Sequence, residues 1–317
     1  MTKANPRWRI SVLAGITISL IFVCYSLANL DWKVFSTSIV SVDPRLLVIF
    51  ILTLLLTMVL RAWRWHIITG LSRQDWHSVW RASCIGYGGT AIFPARAGEV
   101  MRVIHLQRTS SASTGLAVGS SIVDRLVDAV ALCVLVGLGL VIFVSDTAVE
   151  RHFLVVAGVL VISGIATMAF LLGGDRSRAV LARLKRCGAI GSRVAGWLGQ
   201  AFSELQSLRN WRIVSAITAL QIAISLLDVL ACWILLWAFG WPLPIAAAYV
   251  TLICLAMVSA LPSTPGYLGV YQVAAMAALH EFGLARSEAL AYGTLLQACN
   301  FGLFLAAGSW AYLTTRR

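Results

Sequence analysis

Six apolar runs long enough to cross a bilayer, at residues 10–30, 46–63, 115–144, 153–172, 214–240 and 289–313, constrain this chain more than anything else in its sequence. A helix needs about 20 apolar residues to cross the hydrocarbon, and in lipid a spanning backbone must satisfy its own N–H and C=O groups. The expected architecture is therefore an all-α, polytopic membrane helix bundle with six full spans. Composition agrees, since 59% of the residues are hydrophobic and only 12% are charged, where soluble domains carry about a quarter charged. The runs leave no stretch for a separate soluble catalytic domain, so residues 1–317 are read as a single integral membrane domain.

Between the second and third runs lies 79–106, and between the fifth and sixth lies 244–282; both are small-residue-rich and broken by proline and glycine. Pro94 and Gly98 mark the first break, Pro262 and Gly266 the second, and both pairs are 168 residues apart. Unwound backbone is tolerated at bilayer depth only where it faces protein or a cavity, and paired interruptions of this kind mark transporter binding sites. The sequence thus predicts two re-entrant hairpins. The same offset lays the second run over the fifth and the third over the sixth, giving repeat halves at about 45–145 and 213–313. Identity between the halves is negligible, and chance recurrence of Pro and Gly in membrane helices is the competing explanation.

Charge sets the expected orientation. Lys3, Arg7 and Arg9 precede the first run, and the segment 173–212 carries eight of the chain's basic residues, so both belong in the cytoplasm by the positive-inside rule. Both termini are then cytoplasmic, in a bacterial inner membrane. Residues 61–108 contain seven arginines against Asp75 and Glu99, whereas 241–288 contain Arg286 against Glu281 and Glu288. The two hairpins are accordingly expected to enter from opposite sides, as an inverted repeat would. The first run is too long for a signal-peptide core of about 7–15 residues and is read as a retained span. The 173–212 segment reads as a basic amphipathic loop on the membrane surface. The whole chain's net charge of +12 suits anionic lipid head groups; no nucleic-acid partner is expected, because no stacking aromatics accompany the basic runs.

No cofactor or metal is expected. The seven cysteines include no C-x-x-C pair and the five histidines no H-x-x-x-H pair, which removes the usual metal-ligand spacings. Charges placed inside apolar runs are more informative, because each is costly there and needs a partner or an aqueous cavity. Asp124, Arg125 and Asp128 stand at i, i+1 and i+4 in the third run, with both carboxylates on one face. They serve either as an ion pair locking that helix to a neighbour or as part of a lipid or ion pathway. Arg96, Glu99 and Arg102 follow the first break, where guanidinium forks and freed backbone N–H groups suit phosphate oxygens and Glu99 can pair with an arginine in the empty site. Arg61 and Arg64 end the second run beside Trp63 and Trp65, as interfacial anchors or as head-group contacts. The second break, with Pro262, Pro265, Gly266, Gly269, Tyr271 and Gln272, offers hydroxyl, amide and backbone groups without fixed charge.

These elements together resemble the lysylphosphatidylglycerol synthase transmembrane-region family. The resemblance rests on Arg61-x-x-Arg64-Trp65, Pro94-x-Arg96-x-Gly98-Glu99-x-x-Arg102, Asp124-Arg125-x-x-Asp128 and Pro262-x-x-Pro265-Gly266-x-x-Gly269. It implies a flippase-like membrane protein, found in the family alone or fused to an aminoacyl-phospholipid synthase, with some stand-alone members associated with hopanoid or polyprenyl-linked lipids. Where the family commonly has glutamate, this chain has Asp124 and Gln272; the first keeps the charge and the second removes it. No synthase domain follows Arg317 in this sequence, so the resemblance implies lipid translocation without aminoacylation.

The leading expectation is a non-enzymatic lipid flippase-like transporter moving an anionic phospholipid or isoprenoid-type lipid, with Arg96, Arg102 and Arg125 lining the head-group groove. Two alternatives stand beside it. One is an intramembrane enzyme acting on polyprenyl-linked or phospholipid substrates, in which Asp124 and Asp128 hold magnesium and diphosphate. The other is a non-transporting scaffold whose basic loop docks a lipid-synthesising enzyme.

Overall fold

The computed structural model describes Thr17, Cys24 and residues 30–93, 97–143, 210–259, 267 and 269–315. Most of the first expected span, all of the fourth, most of the 173–212 segment, and Pro94, Arg96, Pro262, Pro265 and Gly266 lie outside the described residues. Among the described residues the structure is helical, without strands. The helices are α1 (Trp32–Val40), α2 (Pro44–Thr69), α3 (Trp76–Ile92), α4 (Ala97–Thr109), α5 (Thr114–Phe143), α6 (Trp211–Ala238), α7 (Ile245–Ser259), α8 (Val270–His280) and α9 (Arg286–Thr315), with a 3-10 turn at Arg73–Asp75 before α3. By length and composition α2, α6 and α9 are apolar enough to cross a membrane.

Local chemistry sets the helix starts. Pro44 opens α2 where its missing N–H costs nothing, and the Asp43 carboxylate accepts from the Arg45 N–H at 2.8 Å. Ser113 Oγ accepts from the Leu116 N–H at 3.0 Å at the start of α5. Glu288 accepts from the Ala285 N–H at 2.9 Å at the start of α9. Each side chain takes up a donor that the first helical turn leaves unpaired. The short α1 is an element the hydropathy pattern did not anticipate. Asp31 caps it by accepting from the Lys33 and Val34 N–H groups at 2.9 and 3.1 Å, and Phe35 and Ile39, one turn apart, rest on the neighbouring core.

Helix α2 also departs from expectation, running to Thr69 and not stopping near Trp63. Arg61 and Arg64 therefore lie within a continuous helix. The remaining helices fall where the apolar runs and the two broken segments placed them. In the first broken segment, α3 and α4 fold back on each other: a Cβ added to Gly98 would meet the Gly86 carbonyl oxygen and Thr90, and Ser78 Oγ donates to the Thr109 carbonyl at 2.7 Å. Only glycine permits that approach at position 98. In the second, α7 packs against α8, and Gly269, at φ +80°, precedes α8 in a conformation that favours glycine.

The chain divides into two compact units. The first comprises Met1–Thr57, Cys84–Met101 and Leu226–Arg317; its apolar core includes Phe50, Leu235, Ala248, Ala275, Leu279 and Tyr292, from α2, α6, α7, α8 and α9. The second comprises Met58–Ser83 and Arg102–Ser225. It holds two smaller apolar clusters, one around Trp65, Val79, Ala82 and Leu106 and one around Ile68, Val123, Val127 and Ile217.

Candidate functional site

Within the second unit, α2, α4, α5 and α6 bring together a charged cluster. Asp124 is its centre. Arg64 donates to Asp124 Oδ1 from Nη2 at 2.7 Å and from Nε at 3.0 Å. On the other carboxylate oxygen, Arg102 Nη2 lies at 3.0 Å and Arg125 Nη2 at 3.1 Å. Asp128, one turn further along α5, receives Arg64 Nη1 at 2.8 Å, Arg125 Nη1 at 3.0 Å and Arg61 Nη1 at 3.4 Å. Among the described residues four guanidinium groups thus surround two carboxylates, four positive charges against two negative.

Neutral groups complete the inner part. Arg64 Nη1 also donates to Gln221 Oε1 on α6, and Gln221 Nε2 donates to Ser225 Oγ at 3.2 Å. Arg102 donates to Ser121 Oγ at 2.9 Å and stacks over Trp65 with its guanidinium carbon 4.3 Å from the ring centroid, a favourable cation–π placement. Trp65 Nε1 in turn donates to Ser120 Oγ at 3.2 Å.

The cluster has an inside and an outside. The Arg64, Arg102 and Asp124 side chains are 0%, 5% and 2% exposed, whereas Asp128, Arg61 and Arg125 are 22%, 29% and 40% exposed. Buried charges persist only when paired and hydrogen-bonded, because their desolvation is costly. Arg64, Arg102 and Asp124 therefore join α2, α4 and α5, while Arg61 and Arg125 carry positive charge to an accessible edge. Such an edge suits an anion with several oxygens, since each guanidinium presents a planar fork of donors.

Six of the residues singled out in the sequence meet here: Arg61, Arg64, Arg102, Asp124, Arg125 and Asp128. Arg64 is enclosed by protein, which rules out a snorkelling anchor role for it; the pairing partner on α5 is 60 residues away in sequence. Glu99 is half-buried in the first turn of α4 and Gly98 is buried beside it. Gly269, Tyr271 and Gln272 belong to the first unit, where Gln272 Nε2 donates to Gln297 Oε1 at 2.7 Å and the Tyr271 ring lies 5.8 Å from that of Phe301. Gln221, Ser121 and Ser120 were not singled out from sequence. Their signal was present, as polar side chains spaced within the apolar helices α5 and α6. Among the described residues no group of three His, Cys, Asp or Glu side chains is placed to hold a metal ion.

Glycosyltransferase AglD of Haloferax volcanii is 24% identical to the chain over 302 residues, which cover 84% of this chain and 48% of that protein. The chain thus spans about half the length of that curated relative. No solved structure matches it. The family described as lysylphosphatidylglycerol synthase TM region matches residues 12–308, and with that coverage the chain belongs to the lysylphosphatidylglycerol synthase TM region family.

Proposed function

We propose that this protein is a lipid flippase-like transporter that moves an anionic phospholipid or isoprenoid-type lipid, hopanoid- or polyprenyl-linked lipids included, between the leaflets of a bacterial inner membrane. The observation that carries the reading is the excess of guanidinium groups over carboxylates in the charged cluster, with Arg61 and Arg125 at its accessible edge. A phosphate head group would engage those two side chains, while the inner Arg64–Asp124–Arg102 contacts hold the helices in place. In this reading the chain performs no covalent chemistry, and a lipid-synthesising enzyme that supplies the substrate is the implied partner class.

The inverted-repeat architecture belongs to the same proposal, with re-entrant hairpins entering from opposite sides and both termini cytoplasmic. Helix bounds support it. The starts of α2, α3, α4 and α5 at Pro44, Trp76, Ala97 and Thr114 are followed 167, 169, 173 and 172 residues later by Trp211, Ile245, Val270 and Arg286, which open α6, α7, α8 and α9. One contact supports it further. Arg64 pairs with Asp124, and at an offset of 168 from each stand Cys232 and Tyr292, where the Tyr292 hydroxyl donates to the Cys232 carbonyl at 2.9 Å. At that offset the helix pair of one half carries an ion pair and that of the other a neutral hydrogen bond.

The test is transbilayer exchange of labelled phosphatidylglycerol and labelled polyprenyl phosphate in proteoliposomes. Acceleration over protein-free vesicles, reduced about tenfold or more by Arg61→Ala with Arg125→Ala, is expected; absence of acceleration across a broad lipid panel overturns the reading. A second reading, an intramembrane enzyme on lipid-linked substrates, is favoured by the name of the Haloferax relative. It asks Asp124 and Asp128 to hold magnesium, yet guanidinium groups already engage both carboxylates. Product formation by the purified protein that stops on magnesium chelation would select it instead.

A further inference from the structure

A second basic site lies on the outer side of the α3–α4 pair, within the second unit. Together these two helices carry His77, Arg81, Arg102, His105 and Arg108 against a single acid, Glu99. Arg102 is committed to Asp124 and Ser121. Among the described residues no carboxylate lies within ion-pair distance of Arg81 or Arg108.

Helix geometry brings these two arginines together. Ser78 Oγ donates to the Thr109 carbonyl at 2.7 Å, which sets the start of α3 beside the end of α4. Because the helices run antiparallel, counting inward from that contact brings Arg81, His105 and Arg108 within one helical turn of one another along the pair. Their phase also agrees. Val79 and Leu106 are fully buried with Trp65, and each arginine stands two residues beyond one of them, about 200° around its helix and away from that core. Arg81 is half-buried and Arg108 exposed. His105 is half-buried with them, its Nε2 enclosed and without a hydrogen-bond partner among the described residues, and the charges of both arginines bear on its ring. Ile104, one turn before Arg108 on the same stripe of α4, is 42% exposed. Cations at one level and open apolar surface a turn away match an amphiphile with an anionic head.

We propose that this seam binds one anionic phospholipid, its phosphodiester held by Arg81 and Arg108 beside the His105 ring and an acyl chain lying along Ile104. Two guanidinium forks can engage both non-bridging oxygens of one phosphate. The enclosed imidazole nitrogen, as an N–H, gains an acceptor in the same group. The site is separate from the accessible edge at Arg61 and Arg125 and does not rest on the flippase reading, since a lipid held here is retained and not carried.

Native mass spectrometry of the full chain in detergent, titrated with phosphatidylglycerol, phosphatidylcholine or inorganic phosphate, tests the site. The titrations are made in wild type and in Arg61→Ala with Arg125→Ala, which silences the cluster edge. In both, one phosphatidylglycerol should bind about tenfold more tightly than phosphatidylcholine, and adding Arg81→Gln with Arg108→Gln should weaken it about tenfold, as loss of charge-assisted contacts requires. Excess inorganic phosphate should leave that lipid in place. Equal affinity for the two lipids, or affinity unchanged by Arg81→Gln with Arg108→Gln, overturns the proposal. Displacement by inorganic phosphate overturns it in favour of a soluble anion. If the fourfold variant fails to fold, Arg108→Gln alone decides, at an exposed position: phosphatidylglycerol affinity should fall several-fold with the melting temperature in phosphatidylcholine micelles unchanged, and unaltered affinity refutes the site.

Discussion

Asp124→Asn tests whether the charged cluster holds the fold. The substitution keeps shape and removes one negative charge, so Arg64, Arg102 and Arg125 lose their shared carboxylate and the cluster's excess rises from two positive charges to three. Two of those three guanidinium groups are almost wholly enclosed. Removing one partner of a buried ion pair costs about 3–5 kcal/mol, because the charge left behind stays desolvated. Arg64 keeps Asp128 and Gln221, and Arg102 keeps Ser121 and the Trp65 face, so about 3 kcal/mol is the expected loss. Asp128→Asn is the control: the carboxylate and two of its partners are partly exposed, screening weakens such pairs, and about 1 kcal/mol is expected. Reversible unfolding in mixed micelles, followed by tryptophan fluorescence or by alkylation of buried Cys84, measures both. The double substitution Arg102→Met with Asp124→Leu should recover only part of the loss, since Arg102 no longer needs a partner while enclosed Arg64 still lacks its carboxylate. Equal destabilisation by Asp124→Asn and Asp128→Asn, or a loss under about 1 kcal/mol for the former, would refute the assignment of Asp124 as the centre.

Arg125→Ala should leave unfolding within about 1 kcal/mol of wild type, as expected of a partly exposed pair, while slowing lipid exchange in proteoliposomes several-fold. Gly98→Ala should destabilise the α3–α4 pair by about 1–3 kcal/mol through its clash with the Gly86 carbonyl and Thr90; Gly302→Ala, whose added Cβ meets nothing within 4 Å, should be neutral or stabilising by up to about 1 kcal/mol. Thermal unfolding of the two variants side by side separates them. Tyr292→Phe removes the hydrogen bond to the Cys232 carbonyl and should cost about 1 kcal/mol in the same unfolding assay.

Hydropathy made the long helices legible because lipid leaves a spanning backbone little choice. The limits of α5, Thr114–Phe143, lie one residue from the expected 115–144. Where the sequence misled, a distant partner was the reason. Arg61 and Arg64 look like the end of a span when read locally; α2 continues because acids on α5 neutralise them, and no window along the chain contains both sets. Helix α1 was missed for the opposite reason. Its few apolar positions are too short a stripe for a hydropathy signal, although Asp31 before Trp32-Lys33-Val34 is a legible cap. Gln221 stands singly among apolar residues, so pattern alone gave no reason to prefer it over any other isolated polar side chain.

The distance along the chain between Arg64 and Asp124 also has a consequence for how the protein is made. At about 5–20 residues per second, a ribosome needs roughly 3–12 seconds to move from one residue to the other. Through that interval the newly made α2 holds two arginines whose acids do not yet exist. Handing such a helix to bare lipid would meet an insertion penalty of about 2.5–3.5 kcal/mol for each charge. An α2 that reaches lipid ahead of α5 therefore carries two arginines without their acids, which favours entry of the two helices into the bilayer as a pair.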